Sequence, residues 1–342
     1  MHAGRDGANE FVLPARAWSF LLGAGILFIT SAAQSERPTF MLRPETGVQA
    51  GKETFELSAT IPTTMSGVSV SGSSKLSYPV ETLLAGGTLR FDIGPLSLSS
   101  TALTNLVNPW GNMVDQDWLG ASVGTRSEKI EFSHTDSRTT LRALMIEGAA
   151  RLRVASLAEE PGAPSIYAVA GFRFESSIYD AYGAWGWQLD ENANQVPVSL
   201  PGDLLVLHYE VRHRIPFVGF GFDFGRGRRF LLNTEARLFP AWSSHDDDHV
   251  LRNKFAHASA SGIGFALAAE PGVDLGVGAG AQVILGLSAQ LQNIGTSGQL
   301  QQRFYDDDPT APGNQFGNPI PDADFSSTSI RARLLAFVSV RF

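Results

Sequence analysis

The sequence predicts an all-β fold: a transmembrane, antiparallel, up-and-down β-barrel of about ten strands, extending beyond the membrane on the extracellular side. Three observations predict it. Apolar residues recur at every second position along much of the chain, an export signal precedes them, and the last strand ends at Phe342. Such alternation places apolar side chains on one face of a strand and small or polar ones on the other.

The clearest alternation begins at Val273, and a second one fills residues 326–342. A soluble sandwich also alternates, so one strand decides nothing. A last strand that ends in phenylalanine resembles the last strand of bacterial outer-membrane barrels, and together with the export signal it favours the barrel. The predicted strands are 52–63, 75–93, 96–107, 138–155, 165–180, 203–224, 228–242, 254–269, 273–292 and 326–342.

Residues 1–33 form the candidate export signal. Arg16 precedes an apolar run at 17–29 that is too short to span a bilayer comfortably, and the run is followed by the small residues that a signal peptidase requires. We expect cleavage after Ala33, which leaves residues 34–342 as one barrel domain with an extracellular active-site rim. The alternative is a buried helix.

Composition limits the partners and sites that the chain can have. The 342 residues carry a net charge of −8 and no basic run, so we expect no nucleic-acid partner. The chain has no cysteine, which removes disulfides and thiolate metal ligands.

The predicted connections alternate in length. Short turns lie at Gly94-Pro95, at 225–227 and at Glu270-Pro271-Gly272, whereas longer polar loops lie at 108–137, 181–202, 243–253 and 293–325. Short periplasmic turns and long outer loops are typical of this barrel class. Several strands exceed the roughly 9–11 residues that cross the hydrocarbon, so the wall should rise above the membrane around a mouth.

Two acidic segments fall in the long loops. The segment 110–118, WGNMVDQDW, follows the third strand, and 242–249, WSSHDDDH, follows the seventh. The third and seventh of about ten strands lie nearly opposite each other around a barrel. Asp115 and Asp117 are spaced to share one face of an extended chain, as are Asp247 and His249.

This pattern suits hydrolysis by an activated water. Asp247 can stabilise the imidazolium that forms when His249 takes a proton from water. Asp115 and Asp117 are too crowded to ionise freely together, so that one keeps a proton and either holds the water or donates to the oxyanion. The scheme needs no metal ion or cofactor. A solvated acidic loop and a metal site that uses His245 and His249 remain as alternatives.

At these residues the chain resembles a known family. Gly111–Trp118 resembles the first active-site segment of the omptins, endoproteases of the Gram-negative outer membrane, and Ser243-Ser244 followed by Asp247-x-His249 is similar to their second. The resemblance implies a vase-shaped ten-stranded barrel and an aspartic-type endopeptidase that cleaves polypeptides at the cell surface. It makes Asp247 and His249 the activating dyad, opposite the couple of Asp115 and Asp117.

The resemblance also has departures. Omptins that cut between basic residues carry acids in the primary specificity pocket, but His245 stands at one of these positions, and no acid between Leu57 and Val80 supplies the other. The family needs lipopolysaccharide, held by basic groups on the outer wall, and Arg212 aligns with one of them. We therefore expect lipopolysaccharide as an activating lipid partner of a monomer.

Two other functions stay open. One is a catalytically inactive omptin-like barrel that acts as an adhesin or surface receptor. The other is a small porin, although ten strands leave little open lumen once side chains fill it.

Overall fold

The computed structural model describes residues 38–61, 68–123, 126–158, 163–225, 229–276, 281–307, 309, 316–317 and 322–342. The predicted export signal lies outside the described residues. Twelve strands form one antiparallel sheet. They are β1 (Thr39–Ile61), β2 (Val68–Pro79), β3 (Thr82–Ile93), β4 (Leu96–Asn105), β5 (Asn112–Val123), β6 (Arg126–Ser156), β7 (Ser165–Leu189), β8 (Gln195–Phe224), β9 (Phe230–His249), β10 (Lys254–Asp274), β11 (Gln282–Phe304) and β12 (Ala323–Arg341).

The sheet closes on itself because β1 pairs with β12. The first half of β1 pairs with β3 and its second half with β2, so β2 and β3 share one position in the wall. β4 and β5 share the next position in the same way, and both pair with β6. In the described part of the chain, twelve strands therefore occupy about ten positions of a closed barrel, which confirms the predicted fold class.

The end of the barrel that carries the Gly94-Pro95 turn is called the lower end here. Over the lower half of the wall, large apolar side chains are exposed on the outside, and charged side chains fill the lumen. Inside the lumen, Arg173 pairs with Glu147, and Arg331 pairs with Glu175. The exposed apolar side chains on β1, β9, β11 and β12 include Phe40, Leu42, Val48, Leu232, Leu238, Leu285, Leu287, Leu334 and Val338.

This distribution is the reverse of that in a soluble protein, where apolar side chains are inside and charged ones outside. It is the pattern expected of a barrel whose outer wall faces lipid. The outer band of apolar side chains, called the apolar belt here, ends part-way up the wall. On β11 the outward residues change from Leu287 and Leu291 in the belt to Ser297 and Gln299 above it.

The wall continues far above the belt. β6 and β8 have 31 and 30 residues, roughly three times the 9–11 that cross a bilayer. No helix among the described residues is long and apolar enough to span a membrane.

Several predicted loops are strands instead. Residues 112–123 form β5, β9 continues to His249, and β11 continues to Phe304. The prediction was wrong here because the outer face of the wall above the belt does not face lipid, so its strands lack the outward apolar residues of the belt and are as polar as loops. The turn predicted at Glu270-Pro271-Gly272 is also wrong. These residues pair within β10, and the alternation that begins at Val273 runs through the connection to β11.

Candidate active site

Asp115 and Asp117 lie on the inner face of β5, the face to which the buried Met113 also belongs. β5 is held between β2 and β6. Across from Asp115 stands Leu76, and the hydroxyl of Ser74 donates to Oδ1 of Asp115 over 3.5 Å. The two acids thus share a face as predicted, although their segment is a strand and not a loop.

Asp247 and His249 occupy the upper end of β9, on the face whose buried residues include Ser243 and His245. Nε2 of His249 lies 3.1 Å from Oδ2 of Asp247. When Nε2 carries the proton and donates it to this carboxylate, Nδ1 is the nitrogen that accepts a proton. Asp247 is only 1% exposed, and its Oδ1 has no hydrogen-bond partner among the described residues.

An aromatic stack connects the two walls below these acids. On one wall, Tyr78 of β2 lies one inner position below Leu76, the cross-strand neighbour of Asp115. On the other wall, Tyr209 of β8 is the cross-strand neighbour of Asp247. The rings of Tyr78 and Tyr209 stack with centroids 4.7 Å apart and planes 8° apart. The lumen at this level is therefore spanned by two tyrosine side chains.

The charges of the two walls act on one another. Burial raises the pKa of Asp115 to about 8, with further contributions from Asp117 and from Asp247. Asp115 accordingly keeps a proton at neutral pH. Burial lowers the pKa of His249 by more than the adjacent Asp247 raises it. The imidazole is therefore neutral at pH 7, which is the form that accepts a proton.

Comparisons with known proteins address the fold. No protein-family model matches the chain, and no curated protein matches its sequence. Among solved structures, it is similar to the outer membrane protease OmpT from Escherichia coli, with a TM-score of 0.65 and 15% identity over 91% of this chain and 99% of that one. The barrel fold is shared with that protease. The β domain of the Bordetella autotransporter BrkA superposes poorly, with a TM-score of 0.31 and 7% identity over 90% and 99% of the two chains.

Lys254 is a site residue that the sequence did not single out. It lies across from His249 on the inner face of β10, because the chain reverses tightly between β9 and β10. Burial lowers the pKa of Lys254, whereas the negative charges of Asp247, Asp117 and Asp115 raise it. In the sequence, only its position five residues after His249, across a hairpin, indicates that Lys254 belongs to the site.

His245 lies one inner position below Asp247 and is fully buried. Its Nδ1 is 2.6 Å from the hydroxyl of Tyr209, and its Nε2 is 2.8 Å from the hydroxyl of Ser243. The ring of Phe325 packs against it at 4.6 Å between centroids. Burial lowers the pKa of His245 to about 3, so the side chain is neutral. Both ring nitrogens of His245 are therefore hydrogen-bonded within the protein.

The carboxylate of Glu53, the cross-strand neighbour of Tyr78, is already paired with basic side chains. Glu53 on β1 is fully buried, and its two oxygens bond to Arg331 at 2.7 Å and to His213 at 3.1 Å. Neither this residue nor His245 offers a free negative charge to a basic side chain that enters from above. The bottom of the site, called the floor here, therefore consists of the stacked Tyr78 and Tyr209 and the neutral His245.

Arg212 lies on the outer wall of β8, above the belt residues Val218 and Phe220. It is exposed, and its Nε donates to Oε1 of Glu210 over 2.7 Å. Its side chain therefore lies outside the barrel, and its binding of lipopolysaccharide stays a prediction.

Proposed function

We propose that the chain is an omptin-like, aspartic-type endopeptidase of a Gram-negative outer membrane, which cleaves polypeptides at the cell surface. A water molecule activated by Asp247 and His249, opposite Asp115 and Asp117, is the nucleophile. One observation carries the proposal. The aspartate–histidine pair and the aspartate couple line one lumen from opposite walls that the stacked tyrosines connect.

The apolar belt supports the membrane location. A lipid-facing wall needs an apolar band, and aromatic girdles mark its borders in outer-membrane barrels. Trp242 is exposed on the outer face of β9 immediately above the belt, and Trp110 is exposed between β4 and β5. In this orientation the acids stand above the bilayer on the extracellular side. Arg212 lies at a height where it can reach the phosphate of a lipopolysaccharide headgroup, the proposed activating lipid.

The proposed reaction needs only side chains of the site. Nδ1 of His249 takes a proton from water as the water oxygen attacks the carbonyl carbon of the peptide bond. Asp247 stabilises the imidazolium, and protonated Asp115 donates a hydrogen bond to the developing oxyanion. The C–N bond then breaks as His249 gives its proton to the leaving amine. The products are one carboxylate and one amine.

Cleavage assays with matched variants test the proposal. Protein refolded with lipopolysaccharide should cleave a peptide library, and His249→Ala or Asp247→Ala should lower kcat by about a thousandfold or more. His208→Ala is the control, because His208 forms a 2.6 Å pair with Asp180 on the outer wall, away from the site. It should cleave like wild type. Heat-modifiable migration in gels should show that every variant is folded.

Other outcomes identify the alternative functions. A well-folded wild-type protein that cleaves nothing under varied lipids contradicts the proposal and favours an adhesin or surface receptor. Activity that a chelator removes and zinc restores favours a metal site. Steady conductance in planar bilayers favours a porin, although the lower lumen holds ion pairs around cavities of about 100 and 120 Å³.

A further inference from the structure

We propose that Tyr78 is a positioning residue of the dyad, whose hydroxyl holds the carboxylate of Asp247 through one bound water. This role rests on the proposed hydrolysis at the same site. Tyr78 lies outside the two acidic segments and outside every motif of the sequence. Only contacts across the lumen indicate its role.

Packing on both sides fixes the position of the Tyr78 ring. It stacks on Tyr209, and on another side its centroid lies 4.6 Å from that of Tyr179. Tyr78 is 0% exposed. Because a tyrosine has only two rotatable side-chain bonds, a ring held in this way also fixes its hydroxyl.

The hydroxyl of Tyr78 has no hydrogen-bond partner among the described residues, and neither has Oδ1 of Asp247. Leaving a buried polar group unpaired costs about 1–3 kcal/mol, so such groups normally bond to protein or to bound water. A water needs two to four polar partners. A phenol that donates and a carboxylate oxygen that accepts are two complementary partners for one water.

The acids of both walls act on Tyr78. Burial raises its pKa well above the usual value for a phenol, and the charges of Asp247 and Asp115 raise it further. The phenol is thus near both acidic segments at once, and it stays protonated across the neutral range. Tyr78 is consequently a hydrogen-bond donor and not a base.

The bound water leaves the dyad able to react. It accepts a hydrogen bond from Tyr78 and donates one to Oδ1 of Asp247, so that the carboxylate keeps the orientation in which Oδ2 faces Nε2 of His249. The nucleophilic water is a second molecule on Nδ1 of His249, the ring nitrogen that points away from Asp247. No proton leaves Tyr78, which positions Asp247 and stays unchanged.

Tyr78→Phe tests this role, because phenylalanine keeps the ring in the stack and removes only the hydroxyl. We expect kcat to fall about tenfold to a hundredfold, with KM changed less than about threefold, as for the loss of one group that positions the catalytic dyad. Tyr179→Phe is the matched control. Tyr179 belongs to the same stack, but the charged groups that act on its hydroxyl are Glu53 and Arg331. It should keep kcat within about twofold of wild type.

A Tyr78→Phe enzyme with the kcat of wild type overturns the role, and so does an equal fall in Tyr179→Phe. A wild-type protein that cleaves nothing contradicts the proposed function instead, so the two failures are distinguishable. A high-resolution crystal structure of wild type gives a test that is independent of how the variants fold. It should show a water within about 3.2 Å of both the Tyr78 hydroxyl and Oδ1 of Asp247, and a water-free site overturns the role.

Discussion

Nε2 of His249 and Oδ2 of Asp247 lie 3.1 Å apart, while the second oxygen of the same carboxylate bonds to no described residue. The two oxygens of Asp247 therefore have different tasks. One orients the imidazole, and the other is available to a ligand of the site. Because the two oxygens have different partners, catalysis should depend on the negative charge of Asp247 as well as on the shape of its side chain.

Asp247→Asn should separate charge from shape. The amide occupies the same space but cannot stabilise an imidazolium, so kcat should fall by about a thousandfold to ten-thousandfold. Peptide cleavage rates measure the effect. Asp246→Asn is the control, since Asp246 lies on the outer wall and bonds to His257 at 2.7 Å. If Asp247→Asn keeps more than a tenth of the activity, the dyad is not the base of the reaction.

The pH dependence of kcat/KM should be bell-shaped. The acid limb should lie below 6.5, because the pKa of His249 is lowered, and the alkaline limb should lie near 8, where Asp115 loses its proton. Asp117→Asn removes a negative charge that raises the pKa of Asp115, so its alkaline limb should move to lower pH. Lys254→Met removes a positive charge that lowers the pKa of Asp115 and of His249, so both limbs should move to higher pH.

Rate profiles between about pH 4 and pH 10 measure these shifts. Lys75→Met is a control for the loss of a cation, because Lys75 pairs with Glu56 on a partly exposed surface. An alkaline limb that stays in place in both Asp117→Asn and Lys254→Met contradicts the role given to Asp115.

Cleavage specificity should follow the uncharged floor. We expect wild type to prefer an uncharged side chain next to the cleaved bond, because His245 is neutral and Glu53 is paired. His245→Asp places a carboxylate beside the hydroxyls of Tyr209 and Ser243, and it should raise kcat/KM for lysine and arginine substrates about tenfold or more relative to wild type. A substrate-library profile measures this. An unchanged profile in a folded His245→Asp protein contradicts the assignment of the floor.

Stability should depend on the ion pairs of the lumen. Glu175 bonds to Arg331 at 2.8 Å and to Arg333 at 3.0 Å, and all three side chains are buried. Glu175→Ala leaves uncompensated buried charge, which costs about 3–5 kcal/mol. The temperature at which heat-modifiable migration is lost should fall clearly below that of Asp324→Ala, a control on the exposed surface. Equal temperatures for the two variants contradict the prediction.

Activation by lipid should depend on the outer wall. Arg212→Ala should raise the lipopolysaccharide concentration that gives half-maximal activity several-fold, because a charge-assisted contact to phosphate is lost. Titration of the refolded enzyme with lipopolysaccharide measures it. Arg303→Ala removes an exposed arginine from β11 and should leave the titration unchanged. Identical curves for wild type and Arg212→Ala remove Arg212 from the lipid site.

The sequence predicted the barrel and the opposite placement of the two acidic segments, because alternation and strand order suffice for both. It did not predict the strand ends. Above the belt no lipid requires outward apolar residues, so the segments that contain Asp115 and Asp247 have the composition of loops. The connection after Asp274 was missed for the opposite reason, since its residues continue the apolar alternation.

The parts of the site that the sequence missed are contacts between distant strands. Tyr78 and Tyr209 are each one aromatic residue in a strand, and nothing local to either shows that their rings meet across the lumen. From the sequence alone, Lys254 cannot be distinguished from a surface lysine. Only the pairing of β10 with β9 brings it next to His249. Pairwise neighbours of this kind depend on the radius of the closed barrel, which a single sequence does not specify.

The central claim is that both walls act on one water, and a double-variant cycle tests it most directly. Single-turnover cleavage rates would be measured for wild type, Asp115→Ala, His249→Ala and the protein with both changes. Groups that act as one unit are strongly non-additive, so the double variant should be no more than about threefold slower than His249→Ala alone. A double variant whose loss equals the product of the two single losses would contradict the account, because the two walls would then act independently.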